Sequence, residues 1–386
     1  MKRKQFVASA AAFSGIASFR RALAQGATPN DAASLDEELR WAIAPGVSVA
    51  TLGAGRIETR QAGVLLAGTQ RIVTPSSIFE AASLSKPLFA YAVMERLVAT
   101  GRLELDRPLQ RYLSGPYSTA DPRVARITAR HVLTHTSGLP NWRHHVNEPL
   151  VTAFEPGTSY RYSGEGMYFL QVVVEAITDA GLAAFMRSTL DALGMTASSY
   201  LWRRAYATTA AQPHDDGGRP LPWASALLGN QLMTLARGDD SVLAGWTSAQ
   251  SLDALRRVRP SLDPIPWNAM PNAAWSLFTT APEYASFVAT LLRNPNHPML
   301  QPAVQTSPYT WRGLGIAIQV RDGRRSFYHT GSNPGFKAVM FGDLDARRGL
   351  VSFVNGDGGF PLDMHLTEAT LGPQPAVFEL EQPDDN

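Results

Sequence analysis

The sequence predicts an α/β protein of the α+β kind, with one antiparallel sheet built from both ends of the chain. Hydrophobic and polar residues alternate in residues 47–64 and again from residue 315 to 354. Residues 101–300 instead read as helical segments broken by Pro and Gly clusters. Hydrophobic residues make up 45% of the 386 residues and charged residues 18%, which suits a sizeable core and excludes a disordered chain.

Local signals place the boundaries of the predicted elements. Pro45-Gly46 ends the first helix, and Gly101 stands where a C-cap glycine is expected. No helix directly follows Gly53-Ala54-Gly55, so this triplet indicates a hairpin tip and not a phosphate-binding loop. The predicted elements are a helix over 31–43 with Asp31 as its cap, strands over 47–52 and 56–64, a helix over 83–100, strands over 315–320, 326–329, 336–341 and 350–354, and a closing helix over 361–371.

The simplest packing of these elements is a sheet flanked by helices, with a mostly helical domain inserted into it. The cleft between the two parts is the expected place for a small-molecule site. The expected division is an α/β part over 25–82 plus 305–375, a helical insert over 83–304 and an acidic tail over 376–386.

The first 24 residues have the pattern of an export signal. Lys2-Arg3-Lys4 is a basic start, residues 6–19 are mildly apolar, and Ala22-Leu23-Ala24 fits a cleavage site. Residues 3–7 also resemble a twin-arginine signal with Lys in place of the second Arg. We therefore expect a signal peptide over 1–24 and a periplasmic or secreted protein. An unstructured basic start on a cytoplasmic protein is the alternative.

Charge and composition exclude several kinds of partner. Removing five basic residues with the leader leaves 30 basic against 33 acidic residues, so the net charge moves from +2 to −3. No long basic run remains, which argues against a nucleic-acid partner. No apolar run reaches the ~18 residues of a membrane span. Without cysteine there is no disulfide scaffold, thiol nucleophile or thiolate metal site, and we expect no cofactor.

Lysine is scarce in this chain. After the leader there are 28 arginines but only two lysines, Lys86 and Lys337. Arg does not lose its proton inside a protein, whereas a buried Lys can do so near neutral pH. A Lys kept against this bias suggests a task that Arg cannot perform, so Lys86 is a candidate base.

Ser83 stands three residues before Lys86, an arrangement that puts a hydroxyl and an amine on one face of a helix. Pro87 is tolerated best in a first helical turn, which places Ser83 near a helix N-terminus. The unpaired N–H groups there stabilise a developing oxyanion. A capping Ser beside a solvated Lys is the plainer interpretation of this pair alone.

Four ordered motifs together resemble the serine β-lactamase-like superfamily, which includes class C β-lactamases, penicillin-binding D-peptidases and family VIII carboxylesterases. The resemblance covers about residues 45–359. The motifs are FEAASLSK at 79–86, ITARHVLTHTSGLP at 127–140, Pro156-Gly157 followed by YRYSG at 160–164, and His329-Thr330-Gly331.

The resemblance implies a β-lactamase/transpeptidase-like fold and a role for each matching residue. Ser83 would form an acyl-enzyme, and Lys86 would take its proton. Tyr162 would relay a proton to the leaving group. The backbone N–H groups of Ser83 and Ser332 would form the oxyanion hole. His329 stands where the β-lactamases carry Lys.

Two departures argue against efficient β-lactam hydrolysis. The superfamily's Tyr-x-Asn appears as Tyr162-Ser163-Gly164, so the amide that often holds a substrate carbonyl is missing. His329 removes a permanent positive charge that would attract a substrate carboxylate. Glu165 follows directly, and we interpret it as a helix N-cap or first-turn acid, with a side chain that reaches the cleft as the alternative.

Further candidates lie outside these roles. Thr330 and Gly331 belong to the expected substrate-binding strand, and Trp142 to the mouth of the cleft, with a surface loop as the alternative. His131 and His135, at i and i+4, imitate a metal pair, but we expect structural roles and no metal. The remaining candidates are His144-His145 at the cleft mouth or in a surface loop, His214 in a turn, Trp223, Trp267, Trp275 and Trp311 as core or acyl-pocket residues, and Lys337 as a water-facing side chain.

The sequence thus favours an exported serine hydrolase that cleaves an ester or amide in a small-molecule or peptide-like substrate. Carboxylesterase, D-amino-acid amidase or peptidase activity ranks above a class C-type β-lactamase. A penicillin-binding sensor that acylates without turnover is the competing class. Steady turnover of an activated ester distinguishes the enzyme from the sensor.

Overall fold

Helices surround one large sheet in the computed structural model, which describes residues 34–118, 120–143, 148–258 and 270–374. A π-helical turn, Met94–Val98, continues the second helix. The helices are α1 Leu35–Ala42, α2 Ser85–Val93, α3 Ala129–Leu133, α4 Gly164–Thr178, α5 Leu182–Ala192, α6 Tyr206–Thr209, α7 Ala224–Leu235, α8 Asp240–Gly245, α9 Ser248–Val258, α10 Ala281–Arg293 and α11 Gly359–Leu371. Short 3-10 helices cover Ala82–Leu84, Leu109–Tyr112, Pro122–Arg126 and Pro298–Leu300.

The large sheet joins strands from both ends of the described chain. Its order is β2-β1-β10-β9-β8-β7-β6-β5, and every neighbouring pair is antiparallel. A separate two-stranded sheet pairs β3 with β4. The predicted fold class is therefore confirmed. The strands are β1 Gly46–Gly53, β2 Arg56–Gly63, β3 Phe79–Glu80, β4 Phe278–Thr279, β5 Val304–Gln305, β6 Thr310–Arg312, β7 Ala317–Arg321, β8 Arg324–Asn333, β9 Phe336–Asp343 and β10 Arg348–Val354.

Some boundaries differ from the prediction for local reasons. Asp31 lies outside the described residues, and α1 is capped by Ser34 in a capping box with Glu37. The edge strand β5 and its neighbour β6 are too short to show an alternating pattern. β8 runs on to Asn333 because a tight turn with Gly335 at φ +76° leads straight into β9.

The sheet separates two apolar layers. Ala338 and Met340 of β9 belong to the larger core, which includes α2 and α10. Val339 and Phe341 alternate with them and pack instead with Leu362 and Leu366 of α11. All eight residues of β9 are buried, because helices cover both faces of this central strand.

In the described residues, no helix taken alone has the length and apolar composition for a membrane crossing. α4 and α5 reach those limits only when they are counted as one segment, and the chain bends by 88° between them.

Candidate active site

Ser83 lies in a tight turn between β3 and α2. The preceding residue, Ala82, has a left-handed backbone with φ +47°, a conformation that costs free energy in an L-residue. Ser85 stabilises the turn, since its hydroxyl donates to the carbonyl of Ala82 at 2.6 Å and accepts from the N–H of Leu277 at 3.0 Å. Ser83 is half-buried and Ser85 is fully buried, so of the two serines Ser83 is the one that solvent can reach.

Two buried tyrosines fix the carbonyls of the same turn. Tyr284 donates its hydroxyl to the carbonyl of Leu84, and Tyr200 donates to that of Ser85, both at 2.7 Å. These bonds satisfy polar groups that burial would otherwise leave without partners. The turn is thereby held from α10 and from the segment after α5, before any substrate binds.

The Lys86 amine lies against the Ser83 hydroxyl. Its Nζ atom is 2.9 Å from Ser83 Oγ and 2.8 Å from the carbonyl oxygen of Ala274, and Lys86 is only 1% exposed. The bond to the fixed Ala274 carbonyl holds the amine in place beside the hydroxyl. The predicted one-turn spacing therefore places the amine within hydrogen-bond distance of the serine.

Tyr162 lies above this pair. Lys86 Nζ is 4.8 Å from the centre of the Tyr162 ring, and the His135 ring packs against the same tyrosine with a ring distance of 4.4 Å. Burial, followed by the positive charge of Arg312, lowers the pKa of His135 well below its usual range. His135 Nδ1 accepts the N–H of Ser163 at 3.1 Å, so this imidazole holds the loop that carries Tyr162.

His131 and His135 thus have structural partners. His131 Nδ1 accepts the N–H of Thr128 at 3.3 Å in the cap of α3. Within the described residues, no group of three or more His, Asp or Glu side chains is placed to hold a metal ion.

β8 brings the fourth motif to the serine turn. β7 pairs with β8 only as far as Tyr328, so beyond that residue one edge of β8 is open to the turn. At Gly331 a Cβ atom would lie 2.7 Å from the carbonyl oxygen of Ala81, so glycine allows the two backbones to approach. Ser332, next along the strand, is exposed.

His329 lies on the site face of β8, one residue before Thr330. Its ring is 6.2 Å from that of Tyr162, and its Nδ1 lies 2.6 Å from the carbonyl oxygen of Thr330. The side chain is buried, with 1% exposure. The structure therefore groups Ser83, Lys86, Tyr162 and His329, as the motifs predicted.

Glu80 is a functional candidate that the sequence reasoning did not single out. Its carboxylate accepts Trp223 Nε1 at 2.6 Å and Asn333 Nδ2 at 2.5 Å. Burial raises its pKa, and these two hydrogen bonds partly oppose that. Glu80 thereby joins the serine turn to the end of β8. The available signal was an acid inside an apolar segment, three residues before Ser83.

The position of Trp142 explains why residue 164 is a glycine. A Cβ atom on Gly164 would lie 2.4 Å from Cζ2 of the Trp142 indole, so the indole occupies the space where a side chain would begin. Glu165 is in the first turn of α4, as interpreted, and is fully buried. It binds Arg143 Nε at 3.0 Å.

Lys337 is not water-facing, so that prediction was wrong. It is 1% exposed, and its Nζ lies 2.5 Å from Asp357 Oδ1. β9 is covered on both faces, and the carboxylate compensates the buried charge. Phe360 adds a ring 5.6 Å from the amine. Lys337 shares its face with Val339, on the side of the sheet opposite Ser83.

The remaining predicted residues have structural contacts or lie outside the description. His214 is buried, with Nδ1 2.8 Å from the carbonyl oxygen of Asn355. Trp275 packs against Trp142 at a ring distance of 6.2 Å. Trp311 lies on β6. His144, His145 and Trp267 lie outside the described residues.

Comparison with known proteins relates this chain to a sequence family. The sequence profile of the Beta-lactamase family matches residues 35–371. The chain is 32% identical over 142 residues to penicillin-binding protein 4* of Bacillus subtilis, covering 31% of this chain and 30% of that protein. It is 32% identical over 178 residues to esterase EstB of Burkholderia gladioli, covering 38% of this chain and 44% of that protein. The matches thus span less than half of either relative.

The fold has solved counterparts. D-alanine carboxypeptidase AmpC from Burkholderia cenocepacia superposes with a TM-score of 0.64 at 18% identity, covering 93% of this chain and 98% of that one. At this identity the likeness concerns the fold alone. Taken with the profile match over most of its length, it shows that the chain belongs to the Beta-lactamase family of serine hydrolases.

Proposed function

We propose that the protein hydrolyses carboxylic esters through an acyl-enzyme on Ser83, with amides as slower substrates. The observation that carries this proposal is the 2.9 Å contact between the buried Lys86 amine and the Ser83 hydroxyl. The sequence identity to an esterase supports the ester preference. A neutral ester also suits His329, which offers little attraction to an anion when it is uncharged.

The reaction runs in two steps. Ser83 Oγ attacks the ester carbonyl while its proton passes to the neutral Lys86 amine, which keeps one N–H on Ala274. The N–H groups of Ser83 and Ser332 hold the oxyanion. The Lys86 ammonium returns this proton through Tyr162 to the departing alkoxide, releasing the alcohol. Water then attacks the acyl group, giving the carboxylic acid and restoring the Ser83 hydroxyl.

The test uses a fluorophosphonate probe and a p-nitrophenyl ester. We expect the probe to label Ser83, and Ser83→Ala to abolish both labelling and turnover. Ser241→Ala, which changes an exposed serine of α8, is the matched control and keeps both. Fragment mass spectra separate Ser83 from Ser85 within one peptide. Labelling that maps to Ser85 would contradict the proposed nucleophile.

The same assay separates turnover from acylation alone. Steady release of p-nitrophenol over many enzyme equivalents is expected. A single stoichiometric burst would instead identify a sensor, and faster hydrolysis of a chromogenic cephalosporin than of neutral esters at about pH 8 would identify a β-lactamase.

We also propose that residues 1–24 direct export. The basic start, the mildly apolar segment and the Ala22-Leu23-Ala24 site support this proposal. Expression of the full chain in a Gram-negative host, followed by fractionation, is the test. Periplasmic protein with an N-terminus near Gln25 is expected, and replacement of Arg3-Lys4 by two glutamines should keep the protein in the cytoplasm. Uncleaved protein in the cytoplasm from the unaltered chain would refute this.

A further inference from the structure

We propose that Trp142, clamped onto Gly164 and packed against Trp275, forms an aromatic wall that selects substrates with an aromatic or apolar acyl group. This inference rests on the proposed function and adds the class of acyl group. It concerns the acid half of the ester, whereas the proposed function concerns only the bond that is broken.

The first supporting observation is the space above Gly164. Three atoms of the Trp142 indole lie 2.4–2.7 Å from the position that a Cβ would take. Real Cβ atoms do not approach other atoms so closely, so any larger residue at 164 would displace the indole. The position of the Trp142 indole therefore depends on the absence of a side chain at residue 164.

The second observation is that the loop carrying Trp142 is clamped to the start of α4 from both sides. Asn141 Oδ1 accepts the N–H of Gly164 at 3.0 Å, and the Asn141 carbonyl accepts the N–H of Glu165 at 2.9 Å. On the other side, Glu165 Oε1 accepts the N–H of Arg143 at 3.1 Å and its Nε at 3.0 Å. Since Glu165 is fully buried, this ion pair is shielded from competing water.

The third observation places this wall beside the nucleophile. Trp275 follows Ala274, whose carbonyl holds the Lys86 amine at 2.8 Å. The rings of Trp142 and Trp275 are 6.2 Å apart with an interplanar angle of 56°. Both side chains are half-buried. Trp142 packs on Gly164, two residues after Tyr162, whose ring centre is 4.8 Å from the Lys86 amine, so both indoles lie next to segments that contact this amine.

In the proposed mechanism the alcohol leaves toward Tyr162, and the acyl group is assigned to the side of the site where Trp142 packs on Gly164. An indole pair there buries apolar area and offers ring faces, which favour flat or aliphatic groups over hydrated amides. Phenylacetyl and butanoyl groups fit this description, whereas an N-acetylglycyl group does not.

The experiment holds the leaving group constant. p-Nitrophenyl phenylacetate, butanoate, acetate and N-acetylglycinate are compared by kcat/KM, and fluorophosphonate labelling counts the active protein. We expect the unaltered enzyme to prefer phenylacetate to acetate and to use N-acetylglycinate poorly. Trp142→Ala should lower the phenylacetate-to-acetate ratio ~10-fold or more and leave labelling intact.

Two further variants make the result specific to the wall. Gly164→Ala adds a methyl group that displaces the indole, so the ratio should fall in the same way although Trp142 is still present. Trp41→Ala removes an indole from α1, on the opposite face of the sheet, and should leave the ratio within about 2-fold of the unaltered enzyme.

The outcomes distinguish the two proposals. If Trp142→Ala and Gly164→Ala are labelled normally and keep the unaltered ratio, the aromatic wall is wrong and the esterase stands. If the unaltered enzyme turns over none of the four esters, the proposed function is wrong. If Trp142→Ala does not fold, the ratio of Gly164→Ala alone decides.

Discussion

The two buried lysines of the described chain lie on opposite faces of one sheet and illustrate different uses of the same side chain. Lys86 contacts a hydroxyl, a backbone carbonyl and a tyrosine ring on the face toward α2. Lys337 contacts the carboxylate of Asp357 and the ring of Phe360 on the face toward α11. Burial alone therefore does not identify a catalytic lysine. The polar groups around the amine decide whether it exchanges protons or neutralises a charge.

The largest expected effect comes from removing the proton acceptor. Lys86→Arg keeps the charge but cannot accept a proton at neutral pH, so the acylation rate should fall by ~10²–10⁴-fold. Lys337→Arg, the matched change on the other face, should leave the acylation rate of folded protein nearly unchanged. Stopped-flow acylation with a p-nitrophenyl ester measures both. Near-full activity in Lys86→Arg would make Lys86 a positioning residue only.

For stability we expect the larger effect from changing Lys337, and not from changing Lys86. Lys337→Met leaves the buried carboxylate of Asp357 uncompensated, which should lower the free energy of unfolding by about 3–5 kcal/mol. The double change Lys337→Met with Asp357→Asn should recover part of that loss. Urea denaturation of the three proteins checks this. A double variant as unstable as the single one would show that the two side chains are not coupled.

A third prediction concerns pH on the Lys337 face. Burial raises the pKa of Asp363 to about 8, partly opposed by Lys337. The pKa of an Asp carboxyl in the unfolded chain is about 4. At pH values between this and the folded value, the Asp363 carboxyl is protonated in the folded state and ionised in the unfolded state. The contribution of Asp363 to the free energy of unfolding therefore falls as the pH rises through this range. Asp363→Asn removes the titration and should flatten the stability curve from about pH 4 to 8. An unchanged slope in urea melts would show that Asp363 does not titrate there.

The smallest expected effect comes from adding a second lysine on the site face. His329→Lys supplies a permanent charge beside Tyr162 and should raise kcat/KM for an anionic cephalosporin more than for a neutral ester, by ~3–10-fold. The gain stays modest because Gly164 carries no amide for the substrate. Paired assays at about pH 6 and pH 8 test this. Equal change for both substrates would exclude a charge effect.

The sequence predicted the contact between Ser83 and Lys86 because its geometry is local. One helical turn fixes the distance between Ser83 and Lys86, whatever the rest of the chain does. The clamp on Trp142 is different, because its geometry depends on where the loop after α3 meets the start of α4. No motif spacing in the sequence indicates which residue of that loop contacts the start of α4. The sequence therefore showed that position 164 lacks a side-chain amide, but not that Trp142 occupies the space beside it.

The sequence contained an indication that Lys337 is buried, and the prediction of a water-facing side chain overlooked it. It stands in the segment Phe336 to Phe341, where apolar residues occupy both parities of a predicted strand. Such a strand is buried on both faces, so a charged residue in it needs a buried partner. Only the fold could supply the identity of that partner, because Asp357 lies beyond β10.

The pairing of β1 with β10 also sets the order in which the protein can assemble. Residue 47 pairs with residue 354, so the middle of the sheet cannot close until nearly the whole described chain has been made. The serine turn is synthesised early, but β8, against which it packs, arrives among the last strands. Long-range pairing of this kind folds slowly. A chain that ends before β10 would expose two unpaired strand edges and should aggregate as an inactive precursor.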